Sequence, residues 1–340
     1  MTPLVAGHAT GIGSWPGTDP REAAATVVGE LPGLPHLVEL PGRGLGADTI
    51  GRAAALLTDF PIDTSTTGYR TGARRSVIAR RAAGLLSADL DALEEAWEIA
   101  GKGPGGAVKV QAPGPWTLAA SLELAGGARL LLDRGAVRDL ADSLGDGLAS
   151  HAADVSRRCG GARVVVQLDE PLLTDVRAGR LTGRSRLESI PAVATPVAVE
   201  TLDRVVAASA ADVILHACSA EVPTDIAHES RVAALAFDLE SVRTASLDGL
   251  GTLLDGGTEL LVGAVPTTDP QRPLGVDDVL RDLGRLAHRL QFAPEVFAAR
   301  VGLAPACGLA GASPQWARRA LTTVRDAARA MADDPSLLTR

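Results

Sequence analysis

The sequence predicts an α/β protein, a single eight-stranded parallel β/α (TIM) barrel. Short aliphatic or β-branched runs alternate with longer stretches in which apolar residues recur at every third or fourth position. Eight such alternations occur and no GxGxxG motif follows the first run, so a closed barrel is favoured over an open doubly wound sheet. A length of 340 residues suits one large barrel. We therefore expect a single domain over residues 1–340.

Each run has the length of a strand, and each longer stretch has the length of a helix. The predicted strands are Ala6–Ser14, His36–Leu40, Ala107–Ala112, Arg163–Asp169, Asp212–Cys218, Ala233–Glu240, Glu259–Val265 and Val301–Cys307. The predicted helices include Pro20–Glu30, Leu90–Ala100, Val137–Cys159, Leu202–Ser209, Val276–Leu290 and Ser313–Asp333. The connection after the second run, residues 41–106, is far longer than a usual loop. We expect it to be an insertion near the mouth of the barrel.

Charge, hydropathy and cysteine content narrow the classes of function. Lys and Arg total 33 against 41 Asp and Glu, a net charge of -8, and no basic stripe occurs, so we expect no nucleic-acid partner. The N-terminus lacks a signal-peptide pattern and no apolar stretch reaches about 18 residues, so we expect a cytoplasmic protein with no membrane partner. The three cysteines are too scattered for a disulfide framework, which leaves metal binding or simple burial.

Four residues that could bind one metal ion fall at the ends of predicted strands. His216 and Cys218 are two apart in LHACSA, so on a strand they share a face, either as metal ligands or as a buried thiol beside an imidazole. Glu240 and Cys307 end two other strands. Barrel active sites form at these carboxyl ends, and a nitrogen, oxygen and sulfur donor set suits zinc. Cys159 precedes a strand, so we expect it to pack at the opposite end.

Further segments accompany these four residues in a fixed order. They are GIGSWP from Gly11, APGPWT from Ala112 and QLDEP from Gln167. Together with His216-x-Cys218, an acid 22 residues later and Pro-x-Cys307-Gly-Leu, they resemble the motifs of the cobalamin-independent methionine synthase family. The resemblance spans most of the chain. It covers the C-terminal, catalytic barrel of that family and not the N-terminal barrel of the full-length enzyme.

The resemblance implies a zinc-dependent methyltransferase that moves a methyl group to the thiol of homocysteine and forms methionine. The four residues would hold Zn²⁺, the one cofactor, and no catalytic residue beyond them is implied. The donor would be a methylfolate or a methylated corrinoid protein. By resemblance, Asp169 would bind the amino group of homocysteine, Ile12, Gly13 and Ser14 would hold its carboxylate, and Trp116 would offer an aromatic face to a folate.

The sequence departs from the family pattern on the substrate sides. The family's HGE segment is matched by VELPGRGLGADTI, which leaves Glu39 displaced or Arg43 in place of the acid. The histidine of its DxHSP segment, thought to donate a proton, is matched by Thr268. Two alternatives therefore stay open: a corrinoid to coenzyme M type or other zinc-dependent thiol alkyltransferase, and a non-catalytic barrel that binds zinc or homocysteine. Asp238, on the same strand face as Glu240, is a candidate neighbour of the metal.

Overall fold

The structure is a computed structural model and describes residues 3–183, 190–219 and 221–339. Its strands are β1 (Ile62–Thr64), β2 (Tyr69–Thr71), β3 (Ala107–Pro113), β4 (Leu122–Glu123), β5 (Arg163–Asp169), β6 (Asp212–Ala217), β7 (Ala234–Asp238), β8 (Glu259–Val265) and β9 (Val301–Pro305). Its α-helices are α1 (Pro20–Glu30), α2 (Thr49–Ala53), α3 (Val77–Ile99), α4 (Pro115–Ser121), α5 (Arg134–Arg158), α6 (Leu173–Ala178), α7 (Thr195–Ser209), α8 (Thr224–Glu229), α9 (Thr244–Gly256), α10 (Val276–Leu290), α11 (Pro294–Ala298) and α12 (Pro314–Asp333). Short 3-10 turns lie at Pro41–Arg43, Leu130–Leu132, Leu239–Ser241 and Pro335–Thr339.

A parallel sheet of six strands forms the centre of the protein, in the order β3-β5-β6-β7-β8-β9. Six of the eight predicted strands are thereby confirmed. Helices fill the connections between them, as parallel neighbours require. All six carboxyl ends lie at one edge, and the register of β5 with β6 pairs Asp169 with His216. This edge is where the predicted site residues converge.

The first two predicted strands do not form as strands. Residues 6–14 and 36–40 instead make isolated parallel bridges, which pair Ala9 with Leu303, Ser14 with Glu39, and His36 with Lys109. The first segment contains Gly7 and Gly13 at φ +72° and +151°, and such backbone breaks a regular ladder. The second is bounded by prolines at positions 35 and 41, which cannot donate a ladder hydrogen bond. The prediction of eight regular strands was wrong for these two.

The helices follow the predicted periodicity, but α3, α5 and α7 begin earlier than predicted. Helices α1 and α10 have the predicted bounds. Helix α3 begins at Val77 because Ser76 caps it, its hydroxyl accepting the Ala79 N–H. Helix α5 begins at Arg134 because the Asp133 carboxylate accepts two N–H groups of the first turn. The insertion after residue 40 thus contains α2, the antiparallel pair β1 and β2, and α3, which packs against α1.

The inner face of the sheet changes character along its strands. Toward the amino ends it carries an apolar cluster that includes Val5, Val165, Ile214 and Leu261. Toward the carboxyl ends it carries the buried polar side chains of Gln111, Gln167 and His216, and the buried Lys109 lies level with Val165 in the middle of β3. Since alternate residues share a face, Val165 and Ile214 are followed on the same side by Gln167 and His216. The apolar half excludes water at the amino ends of the strands, and the polar half forms hydrogen bonds near their carboxyl ends. No helix in the described part of the chain has the length and apolar character to span a bilayer.

Candidate metal centre

Three of the four predicted metal ligands meet at the carboxyl edge of the sheet. One ligand atom from each of His216, Cys218 and Cys307 lies within 4.8 Å of the other two, and the two Sγ atoms are 3.2 Å apart. His216 lies near the end of β6, with Cys218 just beyond that strand, and Cys307 follows β9 by two residues. The two-residue spacing on β6 sends both side chains to one side, as the sequence predicted. A nitrogen and two sulfurs at this separation are a donor set for a soft divalent ion.

The two ring nitrogens of His216 differ in their hydrogen bonding. Its Nδ1 lies 2.7 Å from Oδ1 of Asp169, and its Nε2 is buried with no hydrogen-bond partner among the described residues. Burial lowers the pKa of His216, but the hydrogen bond with Asp169 and the neighbouring Cys307 raise it to about 9. A buried ring nitrogen without a partner is unfavourable unless a ligand occupies it. Metal-binding histidines commonly donate the other N–H to a carboxylate, as here. The arrangement therefore fits a metal at Nε2.

The two thiols of the cluster differ in acidity because they share one hydrogen bond. That bond with Cys218 lowers the pKa of Cys307 to about 4, against burial and with help from His216. The same contact with Cys307, together with burial, raises the pKa of Cys218. Without a metal the pair therefore holds one thiolate and one thiol. A bound cation is what would allow both sulfurs to carry charge.

The predicted fourth ligand, Glu240, is not part of this cluster. It is exposed and lies in the 3-10 turn after β7. It nevertheless lines a cavity of about 680 Å³ that Cys218 and Cys307 also line. Asp238 lines the same cavity, and burial together with the charges of Glu240 and Cys307 raises its pKa. Two acids are therefore candidates for a fourth position.

The segment predicted to hold a substrate carboxylate lies beside the cluster. Ser14 touches the loop after Cys307, because a Cβ on Gly308 would lie 2.0 Å from Ser14 Oγ, and the Ser14 carbonyl accepts the Leu309 N–H. The carbonyl of Ile12 accepts two side-chain hydrogen bonds from the inner face of the sheet. Gly13 lies between them at a φ of +151° that favours glycine. The structure thus brings these residues and Asp169 together with the thiols.

The structure shows the surroundings of Trp116 and of the two residues proposed in place of the family's missing acid. The indole of Trp116 is buried, donates to the Ala198 carbonyl and lines a separate cavity beside α7. The structure does not bring Trp116 to the cluster. Of the two candidates for the family's missing acid, Arg43 binds Asp89 at 2.8 Å, whereas Glu39 is buried near Asp169, whose charge adds to burial in raising the pKa of Glu39.

Sequence reasoning gave no role to the residues that support the cluster. Lys109, Gln111 and Gln167 are buried on the inner face, and Glu170 caps α4 through the Trp116 and Thr117 N–H groups. The available signal was a lysine and two amides inside aliphatic strand runs, AVKVQAP and RVVVQLD. Buried polar groups of this kind need partners, so their presence in a core strand indicates a network.

The cavity beside the thiols extends toward the loop after β8. Thr267 and Thr268 line it there, and Arg285 and Arg289 of α10 line its outer part. No histidine of the described residues lines this cavity. Thr268, which the sequence matched to the histidine of the family's DxHSP segment, lines the same cavity as Cys218 and Cys307.

Comparisons with known proteins agree with this geometry. Residues 8–330 match the family model described as the catalytic domain of cobalamin-independent synthase. A solved B12-independent methionine synthase from Shewanella sp. W3-18-1, in complex with selenomethionine, aligns over 98% of this chain and 100% of its own at 13% identity, with a TM-score of 0.61. That likeness supports the fold.

Other comparisons add little. A mandelate oxidase variant aligns over 69% of this chain and 61% of its own at 19% identity, and its TM-score of 0.30 is too low to carry an argument. An intracellular xylanase from Thermoanaerobacterium saccharolyticum, covering 70% and 73% at 11% identity, has the same score. No curated protein matches the sequence. On the family match over nearly its whole length, the chain belongs to the cobalamin-independent methionine synthase family and is a methyltransferase of that family's type.

Proposed function

We propose that this protein is a zinc-dependent methyltransferase that transfers a methyl group to the thiol of homocysteine and releases methionine. The observation that carries the proposal is the buried, unpartnered Nε2 of His216 beside the thiols of Cys218 and Cys307. These three residues would hold the zinc, with Glu240 as fourth ligand after its side chain turns inward. When bound, Zn²⁺ would keep the acceptor thiol deprotonated at neutral pH.

We propose further that the chain is one catalytic domain over residues 1–340. The bridges from Ala9 to Leu303, Ser14 to Glu39 and His36 to Lys109 link β9 through the two glycine- and proline-bounded segments to β3. With those segments counted, the sheet becomes a ring of eight, which is the barrel that the sequence predicts. A cytoplasmic location remains part of the proposal, as metal-binding thiols suit a reducing compartment.

The acceptor side of the site has the charges that an amino acid needs. Asp169 and Glu39 provide carboxylates near the cluster for an ammonium group. The segment from Ile12 to Ser14 borders the Cys307 loop, where its Ser14 hydroxyl would hold a substrate carboxylate. A thiol amino acid bound between these groups would have its sulfur directed at the metal. The solved relative from Shewanella holds selenomethionine, the selenium analogue of the proposed product.

The methyl donor would occupy the cavity of about 680 Å³ beside the thiols. The family is described as cobalamin-independent, which favours a methylfolate and gives no support to a corrinoid protein. A folate amine is a poor leaving group that benefits from protonation. Thr268 offers a hydroxyl in place of an acid, so proton supply to that amine would depend on solvent or on Asp238.

A second candidate function is favoured by that same threonine. A zinc-dependent thiol alkyltransferase with another acceptor, of the coenzyme M type, or with a donor that leaves without protonation would need no histidine at position 268. The non-catalytic alternative left open by the sequence is not carried further, because the family match identifies a methyltransferase.

The test combines metal analysis, ligand binding and turnover. Protein purified with zinc present is expected to hold one zinc per chain, to release a proton on binding homocysteine, and to form methionine from methylfolate. Proton release to coenzyme M and not to homocysteine would favour the second candidate, and turnover with methylcobalamin alone would replace the folate donor. No zinc after metal-replete purification would refute the proposed function.

A pair of cysteine variants sharpens the test. Cys307→Ser is expected to lose zinc and methionine formation while its circular dichroism stays unchanged. Cys159→Ser is the matched control, because Cys159 is a buried thiol at the far end of α5, where burial raises its pKa to about 11. Full zinc occupancy with unchanged activity in the Cys307 variant would exclude the site.

A further inference from the structure

Lys109 is a buried cation in the middle of β3. Its side chain is completely buried, although the sequence contains only two lysines among its 33 basic residues. Its Nζ makes no ion pair with a carboxylate of the described residues. It donates instead to the Gln167 side chain at 2.8 Å, to the Ile12 carbonyl at 3.1 Å and to Gln111 at 3.4 Å. Three acceptors match the three protons of an ammonium group.

The donor-only character of Lys109 gives direction to a chain of hydrogen bonds. Because an ammonium cannot accept, Gln167 must present Oε1 to Lys109 and turn its Nε2 away. That Nε2 donates to Asp169 Oδ1 at 2.7 Å and to the Ile12 carbonyl at 2.8 Å. The same Oδ1 then accepts from Nδ1 of His216 at 2.7 Å. We call Lys109, Gln167, Asp169 and His216 the polar chain.

We propose that Lys109 is a positioning residue of the metal centre, which acts through Gln167 and Asp169 to hold the Nδ1–H of His216 and leave Nε2 for the metal. The inference rests on the proposed function, since it assumes that the cluster binds a metal. Each link has only one chemically allowed direction, so removing the cation removes one of the contacts that hold the next side chain in place. Without Lys109, the Oε1 of Gln167 would lose its donor, and only the two bonds of its Nε2, to Asp169 and the Ile12 carbonyl, would still hold the amide.

Energetics support a role other than stability. Burial lowers the pKa of Lys109 to about 8, although the charges of Asp169 and Glu39 raise it, so the ammonium still predominates at neutral pH. Burying a charged side chain costs desolvation free energy. A buried charge is therefore often neutral or unfavourable for folding compared with an apolar side chain of the same size. Lys109→Met removes that cost but leaves three buried oxygen acceptors without the ammonium donor, so we expect it to fold with a modestly lower unfolding temperature.

The experiment compares Lys109→Met with Lys102→Met, which removes the other lysine. Lys102 is partly exposed, contacts the Pro32 carbonyl and lies over the Trp97 ring, away from the polar chain. Binding of Co²⁺ is measured by chelator competition and by the absorption of the bound ion. Outer contacts of this kind change metal affinity by about 10-fold to 100-fold. We expect that loss in Lys109→Met, together with an altered Co²⁺ spectrum, and no change in Lys102→Met.

A second readout needs no metal. The ring N–H resonance of His216 is assigned with a His216→Gln variant, and its position and exchange rate report the bond to Asp169. We expect a protected, downfield proton in the natural protein and in Lys102→Met, and an exchanging one in Lys109→Met. If the natural protein bound no Co²⁺ while this proton still depended on Lys109, the proposed function would fail and the positioning role would stand.

A double variant checks that Lys109 acts through its neighbour. Gln167→Met breaks the polar chain one link closer to the metal, and it replaces Lys109→Met in the test if that variant does not fold. If Lys109 acts through Gln167, the combined variant loses no more Co²⁺ affinity than the weaker-binding single variant. Additive losses would contradict the chain. Unchanged Co²⁺ affinity, spectrum and ring proton in Lys109→Met would overturn the proposal.

Discussion

Glu170 offers a direct test of how burial and hydrogen bonding balance beside the cluster. Its carboxylate is completely buried and accepts three hydrogen bonds, from the N–H groups of Trp116 and Thr117 and from the Thr117 hydroxyl. It also lies so close to the backbone that a Cβ on Gly114 would come within 2.3 Å of Oε1. The perturbation is Glu170→Gln, which keeps the size of the side chain and one carbonyl acceptor but cannot ionise.

The expected change in the free energy of unfolding follows from the pKa of Glu170. Burial raises the pKa of Glu170 from 4.5 to about 7, against the three hydrogen bonds that lower it. The folded protein thus holds this proton more tightly than the unfolded chain does. The contribution to stability is fully present below pH 4.5 and is lost as the pH rises through about 7. One pKa unit corresponds to about 1.4 kcal/mol, so the loss across this interval is about 3 kcal/mol.

The assay is urea unfolding of both proteins at several pH values from about pH 5 to about pH 8. The free energy of unfolding of the natural protein, minus that of Glu170→Gln, is expected to fall by about 3 kcal/mol with rising pH. Glu200→Gln, a change at an exposed position, serves as control and leaves the pH dependence unchanged. A difference that stays flat, or that grows with pH, would refute the reasoning, because it would mean that the three donors outweigh burial.

Three further predictions concern the metal and the donor cavity. Glu240→Gln should lower zinc affinity by more than about tenfold and Asp238→Asn by less, measured by chelator competition; the reverse order would make Asp238 the fourth ligand. Gly308→Ala should destabilise the protein by about 1–3 kcal/mol and weaken zinc binding, because its Cβ would lie 2.0 Å from Ser14 Oγ. Adding Ser14→Ala should restore part of both losses in thermal unfolding and zinc titration, and no recovery would contradict the clash. Thr268→His should raise turnover with methylfolate by about tenfold or more and add a dependence on an acid to its pH profile; an unchanged profile would show that proton transfer to the donor does not limit the rate.

The fold could be predicted where the local signal and the tertiary environment agree. Strands β5 and β8 and helices α1 and α10 have the predicted bounds, because continuous aliphatic runs suit strands buried on both faces and the apolar stripe of each helix is buried. Residues 6–14 share the aliphatic composition but carry glycines at positive φ. Composition alone does not reveal that such a segment forms single bridges in place of a ladder.

The site was predictable to the extent that it depends on strand geometry. The spacing of His216 and Cys218 gave a shared face, and the parallel sheet brought Cys307 to the same edge. Glu240 could not be placed in this way, because it lies beyond the end of β7 in a turn whose direction is set by its Asp238 cap. The surroundings of Trp116 could not be predicted for a similar reason, since the sequence of a short helix such as α4 does not say which neighbour its aromatic residue meets.

The acceptor and donor sides of the site differ in how deeply their charged groups are buried, and that difference bears on the proposed reaction. On the acceptor side a buried ammonium, two carboxylates and an imidazole are held within the inner face of the sheet. On the donor side the cavity presents hydroxyls at Thr267 and Thr268, and its charged lining includes the partly buried Asp238 and the exposed Glu240, Arg285 and Arg289. Burying a charged group costs free energy. Buried charge is therefore expected where its orientation serves binding or catalysis. Under the proposed function, the buried hydrogen-bond network would therefore orient the acceptor half of the site, and the departing folate amine would take its proton from Asp238 or from solvent.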